Sequence, residues 1–177
     1  MHIVKTALLS YGMSGKIFHA PFIVAHPGFQ LVGCWERSQK KIQADYPEAI
    51  SYPTMEALLA DESIELVIIN TPNNTHFDYA TKALLANKNV VVEKAFTTTV
   101  AEGESLKELA AKQQKKISVY QNRRFDSDFI GVGTGHTILR WWTPLHRLIC
   151  IERINVGSVG HRIGDFPIDR ICLLREY

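Results

Sequence analysis

Residues 3–15 read IVKTALLSYGMSG, and this stretch decides the fold. Residues 3–9 are mostly apolar and predict a buried strand, which a glycine-containing turn connects to a helix over residues 16–25. A strand that passes through such a turn directly into a helix is how a doubly wound α/β sheet begins. The first 25 residues therefore predict this class of fold.

The same alternation of strand and helix continues to about residue 120. Short apolar runs predict further strands at residues 30–35, 49–52, 64–69, 89–93 and 117–120. Polar or periodic stretches predict helices at residues 38–46, 54–59, 75–87 and 99–115, the last three capped by Thr54, Thr75 and Thr99. Six strands joined by right-handed helical crossovers give an α/β doubly wound parallel sheet of the dinucleotide-binding (Rossmann) kind.

The composition of the chain changes near residue 130. Residues 1–129 contain fourteen Ala and eleven Lys, whereas residues 130–177 contain neither and show no sustained period. We expect a dinucleotide-binding domain over residues 1–129 and a tail of anomalous composition, frameshifted or disordered, over residues 130–177. The alternative is a genuine extension in which Trp141, Trp142 and Leu145 cover an apolar sheet edge.

Charge and composition argue against several classes of partner. The net charge is +2 with both signs mixed, so no concentrated basic face for nucleic acid is expected. No window approaches the roughly 20 apolar residues of a membrane span. The three cysteines, Cys34, Cys150 and Cys172, form no Cys-x-x-Cys pair, which favours a reducing compartment and hence the cytoplasm.

The glycine turn is the first candidate site. Its backbone amides and the positive end of the following helix would bind a pyrophosphate, so we expect Ser10, Gly12, Met13, Ser14 and Gly15 to bind a cofactor. In the usual Gly-x-Gly-x-x-Gly, the second glycine lets the backbone approach phosphate and the third packs helix on strand. Gly12 and Gly15 retain these roles, and Ser10 can replace the first glycine only if its φ is not positive. A plain turn is the alternative interpretation.

Glu36 ends the second predicted strand, 21 residues after Gly15. An acidic side chain at this place accepts hydrogen bonds from an adenosine ribose and repels a 2′-phosphate, which favours NAD over NADP. Arg37 follows it and could pair with that phosphate or stack on adenine. The alternative is that both residues are a solvated strand end.

Two further loops follow strands at the carboxyl edge of the sheet. The loop after the fourth strand is predicted to border the nicotinamide ribose through Asn70, Thr71, Pro72, Asn73 and His76. Its alternative interpretation is turn and helix-cap chemistry, with His76 facing solvent.

Glu93 and Lys94 end the fifth predicted strand at the same edge. Glu93 is expected at the cofactor, and Lys94 can place one positive charge beside a nicotinamide and a substrate hydroxyl. A surface ion pair is the alternative for these two residues.

Together these residues resemble the Gfo/Idh/MocA family of NAD(P)-dependent oxidoreductases. The resemblance covers residues 1 to about 129 and rests on GMSGKIFHAPFI at 12–23, Asn-Thr-Pro-Asn at 70–73, Glu-Lys at 93–94 and YQNRRF at 120–125. It implies hydride transfer between NAD(P) and a sugar, polyol or similar alcohol. It also implies that Lys94 is catalytic and that Gln121, Asn122 and Arg123 enter the substrate site. Ala95 stands where the family's Glu-Lys-Pro motif has proline.

The resemblance also predicts that the chain is truncated. Members of the family have a second domain that supplies an Asp and a His to the substrate site, and residues 130–177 are too short for it. Losing an acid/base group typically costs about 10²- to 10⁴-fold in rate. The rival interpretation is therefore a non-catalytic NAD(P)-binding module or an inactive fragment, and an oligomer is compatible with either.

No metal site is expected. His146 and Cys150, with His136 and His161, suggest metal ligands, but they lack a second spaced pair.

Overall fold

The computed structural model describes residues 2–38 and 40–122. Within them, six strands pair in parallel in one sheet of order β3-β2-β1-β4-β5-β6. Their bounds are β1 Val4–Leu8, β2 Phe29–Trp35, β3 Ile50–Tyr52, β4 Leu66–Ile69, β5 Asn89–Glu93 and β6 Ile117–Tyr120. This order is that of the doubly wound dinucleotide-binding fold, so the predicted fold class is confirmed.

Helices follow the first five strands. They are α1 (Ala20–Ala25, continuing a π-helical turn Gly15–His19), α2 (Ile42–Asp45), α3 (Met55–Ala60), α4 (His76–Leu85, after a 3₁₀ turn Asn73–Thr75) and α5 (Val100–Lys112). The π-helical turn Gly15–His19 follows soon after β1, as expected from the glycines at residues 12 and 15.

The sheet is covered on both faces. One core cluster joins apolar residues of α3, α4 and α5 to alternate strand residues such as Ala7, Val67 and Val92. The other joins α1 and α2 to the opposite face, including Leu8 and Ile68. Burial on both faces explains why residues 66–69 read as an uninterrupted apolar run.

The predicted helix starts were partly right. Thr54 accepts a hydrogen bond from Ala57 N, and Thr99 forms a full capping box with Glu102. The cap predicted at Thr75 is wrong. A 3₁₀ turn, and not an extended residue, leads into α4, and the Thr75 hydroxyl therefore donates to Pro72 O at 2.7 Å. The helix predicted from residue 38 begins only at Ile42.

Two helices end earlier than predicted, and for the same reason. Asn87 and Gln114 have φ of 63° and 54°, the left-handed conformation that commonly terminates a helix. Helix α4 therefore ends at Leu85 and α5 at Lys112.

The pairing places the carboxyl ends of β1, β4, β5 and β6 side by side. Leu8 pairs with Ile68, Ile69 with Val92, and Glu93 with Tyr120. Because the strand order reverses between β1 and β4, the carboxyl ends of these two strands form the topological switch point, where open α/β sheets bind ligands. Arg123, the tail and the four candidate metal ligands lie outside the described residues.

Candidate functional site

The glycine turn after β1 is held against the end of β4 by Asn70. Its Nδ2 donates to Ser10 O at 2.8 Å, and Gly12 N donates to Ser10 Oγ at 3.2 Å. Ser10 is not among the described non-glycine residues with positive φ. A serine therefore replaces the first glycine of the motif without a left-handed backbone.

The two glycines of the turn have different surroundings. A Cβ on Gly15 would lie 2.4 Å from Ser10 O and 2.9 Å from Asn70 Nδ2, so only glycine packs there. A Cβ on Gly12 would meet Ser10 Oγ at an ordinary 3.5 Å. The geometry thus agrees with a packing role for Gly15, while Gly12 has room for a Cβ.

Glu93 is bonded to the first helical turn. Its Oε1 accepts hydrogen bonds from Ser14 Oγ at 2.6 Å and from His19 Nε2 at 2.9 Å. Its Oε2 accepts a hydrogen bond from Lys94 N at 3.2 Å. Burial raises the pKa of Glu93, but the hydrogen bonds and charge of His19 and the bond from Ser14 outweigh it, so the pKa lies below its ordinary value. Glu93 is therefore a carboxylate at neutral pH that ties β5 to the glycine turn.

His19 and Tyr120 complete this cluster, and the sequence did not predict either as a site residue. The rings lie 4.5 Å apart at 51°, and Tyr120 Oη donates to Phe18 O at 3.1 Å. Burial and the charge of Glu93 raise the pKa of Tyr120. The only signal for His19 was its presence in the stretch at residues 12–23 that carried the family resemblance.

His76 is completely buried, so the alternative that it faces solvent is wrong. Its Nδ1 lies 2.7 Å from Ala95 O and its Nε2 lies 2.9 Å from Thr71 O. A side chain with no exposed surface cannot touch a ligand, so the predicted direct contact between His76 and a cofactor is corrected. Lys94, whose peptide bond to Ala95 is cis, is exposed at the same edge.

The loop after β4 is ordered by its own hydroxyls. Thr75 Oγ1 donates to Pro72 O, so Thr71 Oγ1 is the donor in the 2.6 Å contact between the two threonines. Pro72 and Asn73 are exposed. Asn70 is buried, and its Oδ1 has no hydrogen-bond partner.

Glu36 at the end of β2 caps the next helix. Its Oε2 accepts hydrogen bonds from Lys41 N at 2.8 Å and from Ile42 N at 3.1 Å. This explains why α2 starts at Ile42. Arg37 beside it is exposed.

Asp45 at the end of α2 connects that helix to the glycine turn. Its Oδ2 accepts a hydrogen bond from Tyr11 Oη at 2.9 Å and lies 2.8 Å from Lys16 Nζ. The bond from Lys16, followed by that from Tyr11, lowers the pKa of Asp45.

Gln121 and Asn122 follow β6 and are half-buried. Since Glu93 pairs with Tyr120, Lys94 and Gln121 each follow a strand end at the same edge of the sheet. The structure thus brings together the glycine turn, the loop after β4, Lys94 and Gln121. Glu36 and Arg37 lie at β2, on the other side of β1.

Two other kinds of site are absent from the described part of the chain. Residues 2–38 and 40–122 contain no group of three or more His, Cys, Asp or Glu arranged to hold a metal ion. No helix among them has the length and apolar character needed to cross a bilayer.

Comparison with known proteins agrees with this fold. Residues 4–121 match the Gfo/Idh/MocA family model, described as an oxidoreductase family with an NAD-binding Rossmann fold. The chain is 44% identical to "Uncharacterized oxidoreductase C26H5.09c" of Schizosaccharomyces pombe over 178 residues, 98% of this chain and 44% of that protein. It is 36% identical to scyllo-inositol 2-dehydrogenase (NADP(+)) IolW of Bacillus subtilis, over 73% of this chain and 36% of that protein.

A solved structure shows the same fold. The crystal structure of an oxidoreductase from Bacillus cereus superposes with a TM-score of 0.70 and 29% identity, covering 78% of this chain and 40% of that chain. This chain therefore spans less than half the length of each of these three proteins.

Proposed function

This chain belongs to the Gfo/Idh/MocA oxidoreductase family, and on that premise we propose that it binds a nicotinamide dinucleotide for hydride transfer to or from a sugar, polyol or similar alcohol. The observation that carries the proposal is the glycine turn. Gly15 packs without a side chain against Ser10 and Asn70, while a Cβ on Gly12, at the start of a helix, would make only an ordinary contact with Ser10 Oγ. This arrangement suits a pyrophosphate.

The residues of the turn fit the cofactor that the family implies. Ser10, Gly12, Met13, Ser14 and Gly15 would hold the pyrophosphate through the backbone, because the first amides of a helix have no partner within it. Asn70, Thr71, Pro72 and Asn73 would border the nicotinamide ribose. The bound nicotinamide supplies the hydride acceptor or donor.

Lys94 is the proposed catalytic residue. Its exposed ammonium, at the edge where β5 ends, would orient the substrate hydroxyl and stabilise negative charge on that oxygen. Gln121, Asn122 and Arg123, which follow β6 in the chain, are the further proposed substrate contacts.

NAD is proposed over NADP because of Glu36. Two backbone amides hold its carboxylate at the end of β2, so it would repel a 2′-phosphate at the adenosine end. Arg37 is the opposing feature, and the inositol dehydrogenase relative has NADP(+) in its name.

A binding module without turnover is the second candidate. Glu93 is the carboxylate next to Lys94, and Ser14 and His19 already occupy its Oε1. Glu93 is therefore poorly placed to take a proton from a substrate hydroxyl, which favours cofactor binding without an acid/base partner from these residues. Turnover of a polyol by the purified chain would decide against this candidate.

The nature of residues 130–177 is a separate proposal. The alignment with the fission yeast relative covers 98% of this chain and so continues past residue 129. This supports a genuine extension over a shifted reading frame.

Calorimetric titration with NADH and NADPH tests the proposed cofactor site. The Gly12→Asp variant places a carboxylate where the pyrophosphate would lie, and Gly12→Ala is its matched control because a Cβ there meets only an ordinary contact. We expect binding to the wild type, weaker binding to Gly12→Ala and none to Gly12→Asp. Equal binding to all three folded proteins would overturn the site.

A further inference from the structure

We propose that His76 is a positioning residue that joins the loop after β4 to the turn after β5 and so sets the place of Lys94 relative to the cofactor loop. The proposal deepens the function proposed above and rests on it. Only the consequence for Lys94 depends on that function, because the junction itself is a property of the folded chain.

The contacts of His76 reach both loops. Its Nδ1 faces Ala95 O at 2.7 Å, directly after Lys94, and its Nε2 faces Thr71 O at 2.9 Å, directly after Asn70. These carbonyl groups belong to loops that leave neighbouring strands, β5 and β4. One imidazole ring therefore spans the space between the two loops.

His76 occupies a buried helix position at which an apolar residue is expected. It is the first residue of α4, on the buried stripe that continues with Ala80, Ala83 and Leu84. A polar ring with no exposed surface must recover the hydrogen bonds that it loses from water. The carbonyl oxygens of Ala95 and Thr71 are the acceptors within reach of its two nitrogens, so the ring does more than fill space.

The chemistry of the two contacts is demanding. A carbonyl oxygen can only accept, and a neutral imidazole carries one N–H donor. Both hydrogen bonds therefore form only when the ring has a proton on each nitrogen. A neutral ring would donate to one loop and leave a lone pair facing the carbonyl of the other.

Substitutions can separate the two halves of the junction. The amide nitrogen of Asn reaches about as far from the backbone as Nδ1 of His, and that of Gln about as far as Nε2. His76→Asn should therefore retain the bond to Ala95 O, His76→Gln should retain the bond to Thr71 O, and His76→Phe should lose both. His2→Gln is the matched control, since His2 is exposed ahead of β1 and pairs with Glu65, at the opposite end of the strands from the two loops.

The experiment records backbone amide chemical shifts and NADH titrations on the full chain. We expect His76→Asn to shift the amides of residues 71–73, His76→Gln those of residues 94–96, and His76→Phe both sets. The loss of both bonds should weaken NADH binding about threefold to tenfold, while His2→Gln changes neither readout.

Two outcomes would overturn the proposal. One is a folded His76→Phe protein with wild-type shifts in both loops and wild-type NADH affinity. The other, which applies even if that variant does not fold, is that His76→Asn and His76→Gln change the same amides. If the wild type binds neither NADH nor NADPH, the proposed function fails, and the amide shifts still decide whether His76 joins the loops.

Discussion

Ser14 Oγ donates a 2.6 Å hydrogen bond to Glu93 Oε1, across 79 residues of sequence. With the bond from His19 to the same oxygen, it fastens the first helical turn after β1 to the end of β5. The proposed pyrophosphate site and Lys94 are thereby held at a fixed separation, because Lys94 follows Glu93 directly.

Removing the charge of Glu93 should destabilise the protein. The Glu93 side chain is 14% exposed and that of His19 is 3% exposed, so water cannot replace their bond well. We expect Glu93→Gln to lower the free energy of unfolding by about 1.5–3 kcal/mol, as for hydrogen bonds to charged groups. Urea unfolding measures the change. Glu104→Gln, at an exposed position of α5, is the control and should stay within about 0.5 kcal/mol of the wild type.

The same carboxylate should make stability depend on acid pH. The pKa of Glu93 is lowered in the folded state, so its contribution is complete above the ordinary value of 4.5 and is lost as pH falls through the lower folded value. The free energy of unfolding should therefore fall more in the wild type than in Glu93→Gln when the pH is lowered from about 5 to about 3. Parallel curves for the two proteins would show that Glu93 does not titrate this way.

Gly15 and Gly12 should respond differently to the same substitution. Gly15→Ala forces a Cβ to within 2.4 Å of Ser10 O, so we expect a loss of about 1–3 kcal/mol, typical of overpacking. Gly12→Ala should fold like the wild type. Thermal unfolding compares the two variants, and equal midpoints would contradict the assigned packing role of Gly15.

Neutralising Glu36 should change the preference between cofactors. Glu36→Gln keeps an oxygen that can accept from Lys41 N and Ile42 N, but it removes the charge that would repel a 2′-phosphate. We expect NADPH affinity to rise about fivefold relative to NADH. Titration with both cofactors measures this ratio; an unchanged ratio would mean that Glu36 does not face the adenosine ribose.

Two threonines that look alike in sequence should differ as caps. Thr99→Ala removes a full capping box and should cost about 0.5–2 kcal/mol. Thr75 makes no cap bond, and Thr75→Ser keeps the hydroxyl that bonds Pro72 O and Thr71 Oγ1, so this variant should be nearly neutral and serves as the reference for the loss in Thr99→Ala. Urea unfolding of the two variants checks this difference.

Much of the fold was predictable because its signals are local. The apolar runs identified β5 and β6 to the residue, and Thr54 and Thr99 cap the helices that they were expected to begin. Helix ends were harder to predict. Asn87 and Gln114 take a left-handed backbone that their residue types permit but do not require.

The sequence by itself determined the order of strands and helices, the glycine turn and the family, because periodicity, caps and turn residues act between near neighbours. Only the tertiary structure decided that Glu93 bonds Ser14 and His19, that His76 is buried between two carbonyl groups, and that Glu36 caps α2. The first two sets of partners come together because parallel strands place their carboxyl ends at one edge, however far apart they lie in the chain. Glu36 lies close to its partners in sequence, but its cap depends on where the chain after β2 turns into a helix.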